Sequence, residues 1–402
     1  MKVTSVETIR LDNQPNIMWA RVHTDEGVTG LGETFFGTQS AEAHIHQTIA
    51  PYLIAKDPRN IERHQAHLTG YIGFIGSGAE TRGRSAIDLA LWDLFAKSVN
   101  LPLCDALGGR VRDSIRVYNT CAGYSYVQTR SSQGTSNFGL DAKHGQYEDL
   151  AGFMEDAGQV ALSLLEMGID AMKIWPFDYA AERSRGQYIS TADLKKALEP
   201  FEKIRSAVGD KMEIMAELHG MWNRPAATRI ACALEPFDPL WVEDPVMMDH
   251  MDAIGEVARS TRAPIAVGET RGMAADYKYL LDLKALSLLI MDVAWCGGVS
   301  EGRKIAALAQ TYKVPVAFHD CTGPVVLAAS THLALNSSNC FIQEMVRAFY
   351  YGWYQDVVTQ LPPVINGQIT VSDVPGIGLE LHPDLSKRAD YRCRTTTAKD
   401  LN

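Results

Sequence analysis

The sequence predicts an α/β protein whose larger part is a closed parallel barrel of the (β/α)8 type, preceded by a smaller α+β module. Three observations predict this fold. From about residue 117 onward short apolar strands alternate with helices, a polar residue ends each strand every 23 to 27 residues, and the first hundred residues follow a different pattern. Alternating strands and helices form parallel sheets, and seven or eight such units in a row close into a barrel.

The N-terminal module is predicted to contain strands followed by a helix. Two segments of alternating apolar and polar residues surround a turn signal, Asp-Glu-Gly, at 25–27. The segment 85–100, SAIDLALWDLFAKSVN, has the periodicity of a helix. Because Ser85 and Asp88 have the spacing of an N-terminal capping pair and Asn100 precedes Leu-Pro, the helix is expected to begin near Ser85 and to end at Asn100.

The barrel strands are predicted from seven apolar runs, which begin at residues 171, 213, 239, 264, 286, 314 and 340. Helical segments such as 192–209 and 300–313 separate them. The polar residues that end six of these runs are Glu217, Glu243, Glu269, Asp292, His319 and Glu344. Their regular spacing places them at the C-terminal ends of successive strands, where barrels of this type carry their active sites.

The composition excludes several classes of protein. A chain of 402 residues with 46% hydrophobic residues can bury a large core. The formal net charge is −10, and no run of Lys and Arg offers a surface for nucleic acid. The seven cysteines form no CxxC pair, which argues against a disulfide framework or a structural zinc site. Without a signal segment or an apolar stretch of about 18 residues, a cytoplasmic protein with no membrane span is expected.

Three glutamates at successive strand ends predict a metal site. Glu217, Glu243 and Glu269 each follow an apolar strand, and their charges would repel one another without a cation between them. Most acidic residues are merely exposed on the surface, but the regular spacing disfavours that explanation here. An all-oxygen site suits a hard divalent cation, so we expect Mg²⁺, with Mn²⁺ as the second choice.

Two histidines and a lysine are predicted to complete the site. His319 and Asp292 follow neighbouring strands, where the carboxylate can fix the imidazole tautomer and raise its basicity. His219 lies two residues after Glu217, on the same face of its strand, which puts an acid or a base beside the metal. Lys173 ends the preceding strand, where a buried ammonium group needs carboxylates around it.

Together these residues resemble the enolase superfamily, and within it the mandelate racemase-like subgroup. The resemblance covers almost the whole chain: the helix at 83–109, the three acidic strand ends, the Asp292–His319 pair, Glu344 and the closing VPGIGLEL at 374–381. It implies a (β/α)7β TIM-type barrel with an α+β capping domain formed by the N-terminal region and the C-terminal segment. It also implies that the three glutamates bind Mg²⁺ and that a proton α to a carboxylate is removed to give an enediolate.

The same resemblance divides the chain into three parts. Residues 1–115 are expected to form the N-terminal part of the capping domain, residues 116–360 the barrel, and residues 361–402 the segment that completes the capping domain. This last segment has strand and turn chemistry, with Asn366-Gly367 as its turn signal. We also expect the chain to form a homo-oligomer.

Two departures from the racemase pattern favour dehydration. Racemase-like members often carry Lys-x-Lys on the second barrel strand, where this chain has Lys173 followed by Trp175. The third strand carries Glu217-x-His219, similar to the acidic-x-His arrangement of sugar acid dehydratases that act on galactonate or mannonate. The resemblance therefore implies a Mg²⁺-dependent dehydratase of an aldonate- or aldarate-type sugar acid, which yields a 2-keto-3-deoxy acid.

Two other functions stay open. One is an isomerase of the same fold, either an epimerase or a cycloisomerase of an anhydro or lactone sugar acid, that uses the same enediolate. The other is a non-catalytic sugar acid binding protein, which is disfavoured because every chemical position is filled.

The dehydratase function assigns roles to these residues. His319 is expected to take the α-proton and His219 to protonate the departing β-hydroxyl, although the reverse assignment and Lys173 as the base stay open. Lys173 and a protonated Glu344 are expected to stabilise the enediolate. Loops at 32–37, 72–78 and 123–146 are expected to cover the mouth of the barrel. The residues expected to contact the substrate are Thr34, Phe36, Tyr71, Trp175 and Arg271.

Overall fold

The strands form two sheets in the computed structural model, which describes residues 1–69, 78–128, 134–142 and 144–401. In chain order they are β1 (Val3–Leu11), β2 (Gln14–Thr24), β3 (Thr29–Phe35), β4 (Ile115–Thr120), β5 (Ala171–Ile174), β6 (Glu213–Glu217), β7 (Trp241–Glu243), β8 (Ile265–Val267), β9 (Leu288–Met291), β10 (Val316–Phe318), β11 (Cys340–Met345), β12 (Val364–Ile365), β13 (Gln368–Ile369) and β14 (Tyr391–Thr397). Strands β4 to β11 are parallel and close into a barrel through pairing of β11 with β4. This confirms the predicted barrel, and the seven apolar runs coincide with β5 to β11.

Helices connect each barrel strand to the next and cover the outside of the barrel. The longer α-helices are Thr38–His44, Ile61–Leu68, Ala79–Ser98, Asp149–Glu166, Asp178–Ser184, Thr191–Val208, Arg224–Leu234, Met251–Ser260, Met273–Asp282, Gly298–Thr311 and Pro324–Asn336. Short helical turns lie at Ala50–Leu53, Leu103–Ala106, Arg347–Tyr350 and Tyr354–Val357, and a π-helical stretch at Ile45–Ile49. In the described part of the chain no helix is long and apolar enough to cross a membrane.

The capping domain is built on an antiparallel sheet of strand order β14-β1-β2-β3. The C-terminal strand β14 pairs with β1, so the C-terminal segment completes this sheet as predicted. The long helix Ala79–Ser98 lies directly on β3. Gly30 and Gly32 make this close approach feasible, since a Cβ atom on either would lie within 2 Å of a carbonyl oxygen of the helix, at 1.9 and 1.8 Å.

The hairpin of β12 and β13 lies on the barrel and not on the capping sheet. Its turn is the predicted Asn366-Gly367 pair, whose φ angles of 49° and 69° belong to the left-handed region. Strand β13 pairs with β4 in antiparallel fashion, with Gln368 opposite Arg116.

The long helix of the capping domain begins earlier than predicted. It starts at Ala79, six residues before Ser85. Ser85 and Asp88 have the spacing of a capping pair, but their side chains accept hydrogen bonds from Gly297 N and Ser300 N, at the start of a barrel helix. The predicted start was therefore wrong because this pair caps a different helix. The end is close to the prediction, since Asn100 has the left-handed φ of 55° that terminates helices.

One layer of side chains fills the interior of the barrel. All eight strands contribute to it, and its members are Tyr118, Ala171, Met215, Trp241, Ala266, Leu288, Ile290, Ala317 and Ile342. Its two large rings, Tyr118 and Trp241, meet edge to face with their centroids 5.3 Å apart. Because strand residues two apart share a face, the next position along each strand forms a second layer at the mouth of the barrel.

Candidate active site

The second layer consists almost entirely of polar side chains. Each of the following lies two residues after a member of the interior layer: Thr120, Lys173, Glu217, Glu243, Asp292, His319 and Glu344. Glu269 lies three residues after Ala266 because Gly268, with φ +127°, turns the chain at the end of β8. The spacing recognised in the sequence therefore reflects one ring of side chains around the barrel mouth.

Lys173 lies among three buried carboxyl groups. Its Nζ is 2.8 Å from Glu243 Oε1, 3.0 Å from Glu344 Oε1 and 3.3 Å from Glu217 Oε2. Burial opposes the charged ammonium form, but Glu243 and Glu344 outweigh it and raise the pKa of Lys173. The lysine is therefore a fixed cation of the site, with the carboxylate partners that its burial requires.

Glu217, Glu243 and Glu269 converge on one point. One carboxylate oxygen from each lies within 4.8 Å of the others, and all three side chains are buried. Burial, followed by the charge of Glu217, raises the pKa of Glu243 to about 8, and burial also raises the pKa of Glu269. Glu217 Oε2 is buried without a hydrogen bond among the described residues. The raised pKa values reflect the cost of ionising neighbouring buried carboxyl groups, a cost that a bound cation would offset.

His319 is held by Asp292. Its Nδ1 lies 2.7 Å from Asp292 Oδ2, which leaves Nε2 free to act on a substrate; Nε2 is 3.3 Å from Glu269 Oε2. Ala294 N and the Thr322 hydroxyl also donate to Asp292, at 2.6 and 3.3 Å. Burial opposes the charged form, but Glu269 and Glu344 raise the pKa of His319 above its usual value.

His219 is held by an aspartate in the same way. Its Nδ1 lies 2.8 Å from Asp178 Oδ2, and its backbone N–H donates to Glu217 Oε1 at 2.6 Å. Burial alone would lower the pKa of the imidazole. The charges of Asp178 and Glu217 outweigh burial and raise this pKa to about 10. The left-handed φ of 51° at His219 turns the chain directly after β6 and the proposed ligand Glu217.

Each histidine also packs against a tryptophan. The ring centroids of Trp175 and His219 are 5.9 Å apart, and those of Trp295 and His319 are 5.3 Å apart. Both tryptophans line the same cavity as the two imidazoles. The site therefore contains two similar units, each formed by a histidine, an aspartate and a tryptophan.

Glu344 is surrounded by donors. Lys173, the Thr120 hydroxyl and Asp320 N all contact its carboxyl oxygens, the last at 2.9 Å. Although burial raises its pKa, the charges of Lys173 and His319 lower it below the usual value. These surroundings favour the ionised carboxylate, which differs from the protonated donor expected from the sequence.

The capping domain and one barrel loop cover the cavity with apolar side chains. Phe35 and Phe36 come from the end of β3, and Tyr126 and Val127 come from the loop after β4. Phe36 and Trp175 thus occupy the positions expected for substrate contacts. The cavity is open to the polar ring on its barrel side, so a bound acid would lie between the aromatic cover and the charged groups.

Two of the expected substrate contacts, Thr34 and Arg271, do not line this cavity, and a third, Tyr71, lies outside the described residues. The Thr34 side chain is fully buried and its hydroxyl donates to Ala294 O at 3.1 Å. Arg271 is not among the lining residues, and its carbonyl faces the Tyr277 hydroxyl. Tyr71 and most of the 72–78 loop lie outside the described residues.

Sequence reasoning missed several members of the site. Asp178 was not identified, although an acid five residues after Lys173 at the start of a helix is a usable signal. Thr120 was missed because the insertion after β4 breaks the regular spacing between strand ends. Trp295 and Cys321 lie just after β9 and β10 and line the cavity, but their residue types gave no chemical signal.

Known proteins share the sequence pattern and the fold of this chain. The family described as "Enolase C-terminal domain-like" matches residues 156–385, and the N-terminal domain family of mandelate racemase and muconate lactonizing enzyme matches residues 3–108. The chain belongs to the enolase superfamily. A solved structure of an enolase of the mandelate racemase subgroup from Agrobacterium tumefaciens is 48% identical, with a TM-score of 0.88 and complete coverage of both chains.

Curated relatives of this enolase-superfamily protein are dehydratases. D-xylonate dehydratase of Haloferax volcanii is 30% identical over 95% of this chain and 87% of its own length. D-galactonate dehydratase of Xanthomonas campestris pv. campestris is 30% identical over 97% of this chain and 94% of its own length. The relatives are hydro-lyases of the enolase superfamily, in agreement with the enzyme class predicted from the sequence.

Proposed function

We propose that this enzyme is a Mg²⁺-dependent dehydratase of an aldonate- or aldarate-type sugar acid. It removes the proton α to the carboxylate and expels the β-hydroxyl, which gives an enol that tautomerises to a 2-keto-3-deoxy acid. The observation that carries this proposal is the pair of aspartate-held histidines, His319 and His219, which face one cavity beside Glu217, Glu243 and Glu269. An α,β-elimination needs both a base and an acid, and the names of the relatives support the same reaction class.

The residues present fit a divalent cation. Glu217, Glu243 and Glu269 supply the oxygen ligands that Mg²⁺ prefers, and Glu217 Oε2, 3.3 Å from Lys173 Nζ, accepts no hydrogen bond among the described residues. When bound there, Mg²⁺ would offset the negative charge that develops on the substrate carboxylate as the α-proton leaves. Lys173, fixed by Glu243 and Glu344, donates to the same carboxylate.

The two histidines divide the proton transfers. The Nδ1 atoms of both are engaged by aspartates, so Nε2 is the working nitrogen in each. His319 removes the α-proton, and the electron pair moves toward the carboxylate. His219, oriented by Asp178, then delivers its proton to the β-hydroxyl, which leaves as water. Glu344 holds Lys173 in place and, in this role, needs no proton of its own.

An isomerase is the second candidate, and the similarity of the two units favours it. Because His219 is oriented by Asp178 as His319 is by Asp292, it could return a proton to the substrate without loss of a hydroxyl. An epimerase, or a cycloisomerase of a lactone or anhydro sugar acid, would use the two histidines in this way.

A substrate screen tests the proposal. The purified enzyme with MgCl₂ is incubated with a library of aldonic, aldaric and lactone sugar acids, and 2-keto acids are detected as semicarbazones. We expect at least one open-chain acid to give a 2-keto acid. Activity confined to lactones or anhydro acids, or formation of epimers without a keto acid, would show that the enzyme is an isomerase and not a dehydratase.

A further inference from the structure

Barrel helices obtain their N-terminal caps in two different ways. Three of them carry a capping side chain of their own: Ser190, Asn223 and His250 accept a hydrogen bond from the N–H group three residues later. The helices Gly298–Thr311 and Pro324–Asn336 begin after Gly297 and Gly323, which have no side chain for this purpose. Their free N–H groups need an acceptor from elsewhere.

The capping domain supplies an acceptor to the first of these helices. Asp88, in the middle of the long capping helix, accepts from Ser300 N at 2.9 Å and from the Ser300 hydroxyl at 2.6 Å. Ser300 is the third residue of the barrel helix, the position that an N-cap side chain normally contacts. A Cβ atom on Gly298 would lie 2.2 Å from Asp88 Oδ2, so the glycine is what allows the carboxyl group to approach.

The second helix is capped in the same way by Glu33 of β3. Glu33 Oε1 accepts from Val326 N at 2.9 Å, and Val326 is again the third residue of its helix. Trp19 Nε1 donates to the other oxygen at 2.7 Å. A Cβ atom on Gly323 would lie 2.2 Å from Glu33 Oε1. Both glycines thus leave space for a carboxyl group of the capping domain.

These two helices follow the strands that end in Asp292 and His319. The loop after Asp292 has further bonds to the capping domain, because Thr34 donates to Ala294 O at 3.1 Å and Trp295 Nε1 donates to Phe35 O at 3.0 Å. The loop after His319 is short and ends at the helix that Glu33 caps. The capping domain therefore contacts the chain directly after Asp292 and the start of the helix that follows His319.

We propose that Glu33 and Asp88 are positioning residues that set the geometry of the His319–Asp292 pair by capping the two barrel helices from the capping domain. Neither touches the reacting atoms. This role rests on the proposed function only where kcat is the quantity measured. If the two carboxyl groups merely stabilised the helices, any other cap would replace them without loss.

A cap exchange separates these possibilities. Glu33→Ala removes the cap and opens the space beside Gly323, so that Gly323→Ser in the same chain can give the helix a cap of its own. We expect E33A to lower Tm and to lower kcat by about tenfold or more, and E33A/G323S to recover Tm but not kcat. Recovery of both in the double variant would overturn the proposal. Ser190→Ala, which removes a cap of similar type elsewhere, is expected to change Tm only.

An NMR measurement gives a second test of the proposal, one that does not depend on turnover. In the Mg²⁺-loaded protein labelled with ¹⁵N-histidine, the proton shared by His319 Nδ1 and Asp292 gives a deshielded resonance that is assigned by its loss in H319N. We expect this resonance to shift in E33A and in E33A/G323S and to stay in place in S190A. An unchanged resonance in both Glu33 variants would overturn the inference even if the proposed function were wrong. If E33A does not fold, Asp88→Ala, which removes the other cap, gives the same comparison, with the same expected shift.

Discussion

His219 Nδ1 lies 2.8 Å from Asp178 Oδ2, so both histidines of the site, and not His319 alone, are oriented by a buried aspartate. A histidine next to the proposed metal ligand Glu217 could otherwise be a structural side chain. An imidazole whose one nitrogen is engaged by a carboxylate presents the other nitrogen in a fixed direction. This relationship supports His219 as the second proton-transfer group of the proposed reaction.

Asp178→Asn should lower turnover by about a hundredfold. The amide keeps the size of the side chain but removes the charge that holds His219 protonated and oriented. Steady-state kinetics on the substrate found by the screen measure the effect. Asp210→Asn, at an exposed turn, is the matched control and should behave as wild type. Wild-type turnover in D178N would contradict the proposed role of His219 as the general acid.

Exchange of the α-proton in D₂O should separate the two histidines. His319→Asn is expected to lose both turnover and exchange, because it removes the base. His219→Asn is expected to lose turnover but to retain exchange, since removal of the α-proton precedes loss of the hydroxyl. Proton NMR of the recovered substrate measures both. The opposite pattern would interchange the two roles, and exchange that survives both substitutions would make Lys173 the base.

Glu243→Gln should abolish Mg²⁺ binding and activity while the fold stays intact. The side chain belongs to the second layer at the barrel mouth, outside the interior layer that closes the barrel. Isothermal titration with Mg²⁺ and circular dichroism measure the two properties, and Glu202→Gln on an exposed helix face is the control. Full wild-type activity in EDTA would contradict the metal assignment.

The junction between the capping domain and the barrel should lose stability as the pH rises. Burial raises the pKa of Glu33 to about 8 and that of Asp88 to about 7, against usual values of 4.5 and 3.8. The stability from both protonated groups is complete below the usual values and is lost as the pH rises through 7 to 8. Thermal unfolding from pH 5 to 9 measures it. The difference in Tm between wild type and Glu33→Gln should change over this range; a constant difference would show that Glu33 does not titrate there.

The barrel and its ring of polar residues were predictable because both follow from repetition. Most strands place one polar side chain two positions after an interior side chain, so Glu217, Glu243 and His319 fall at regular intervals. Asp178 and Thr120 were not predicted because they come from places where insertions interrupt this repetition.

Contacts between the two domains could not be predicted from the sequence either. Ser85 and Asp88 have the local pattern of a helix start, and only the docking of the capping helix on the barrel shows that they cap another helix. Thr34 was expected to contact the substrate, but its hydroxyl bonds to Ala294 O. A pattern within one segment carries no information on which partner from another domain it will meet.

The most direct test of dehydration is the mass of the product formed from an open-chain sugar acid. The enzyme with Mg²⁺ is incubated with D-galactonate, D-xylonate and the other open-chain acids of the screen, and substrate and product are compared by mass spectrometry. We expect a 2-keto-3-deoxy acid lighter than its substrate by one water, and no such product from E243Q. Products of unchanged mass from every substrate that reacts would contradict dehydration and establish an isomerase.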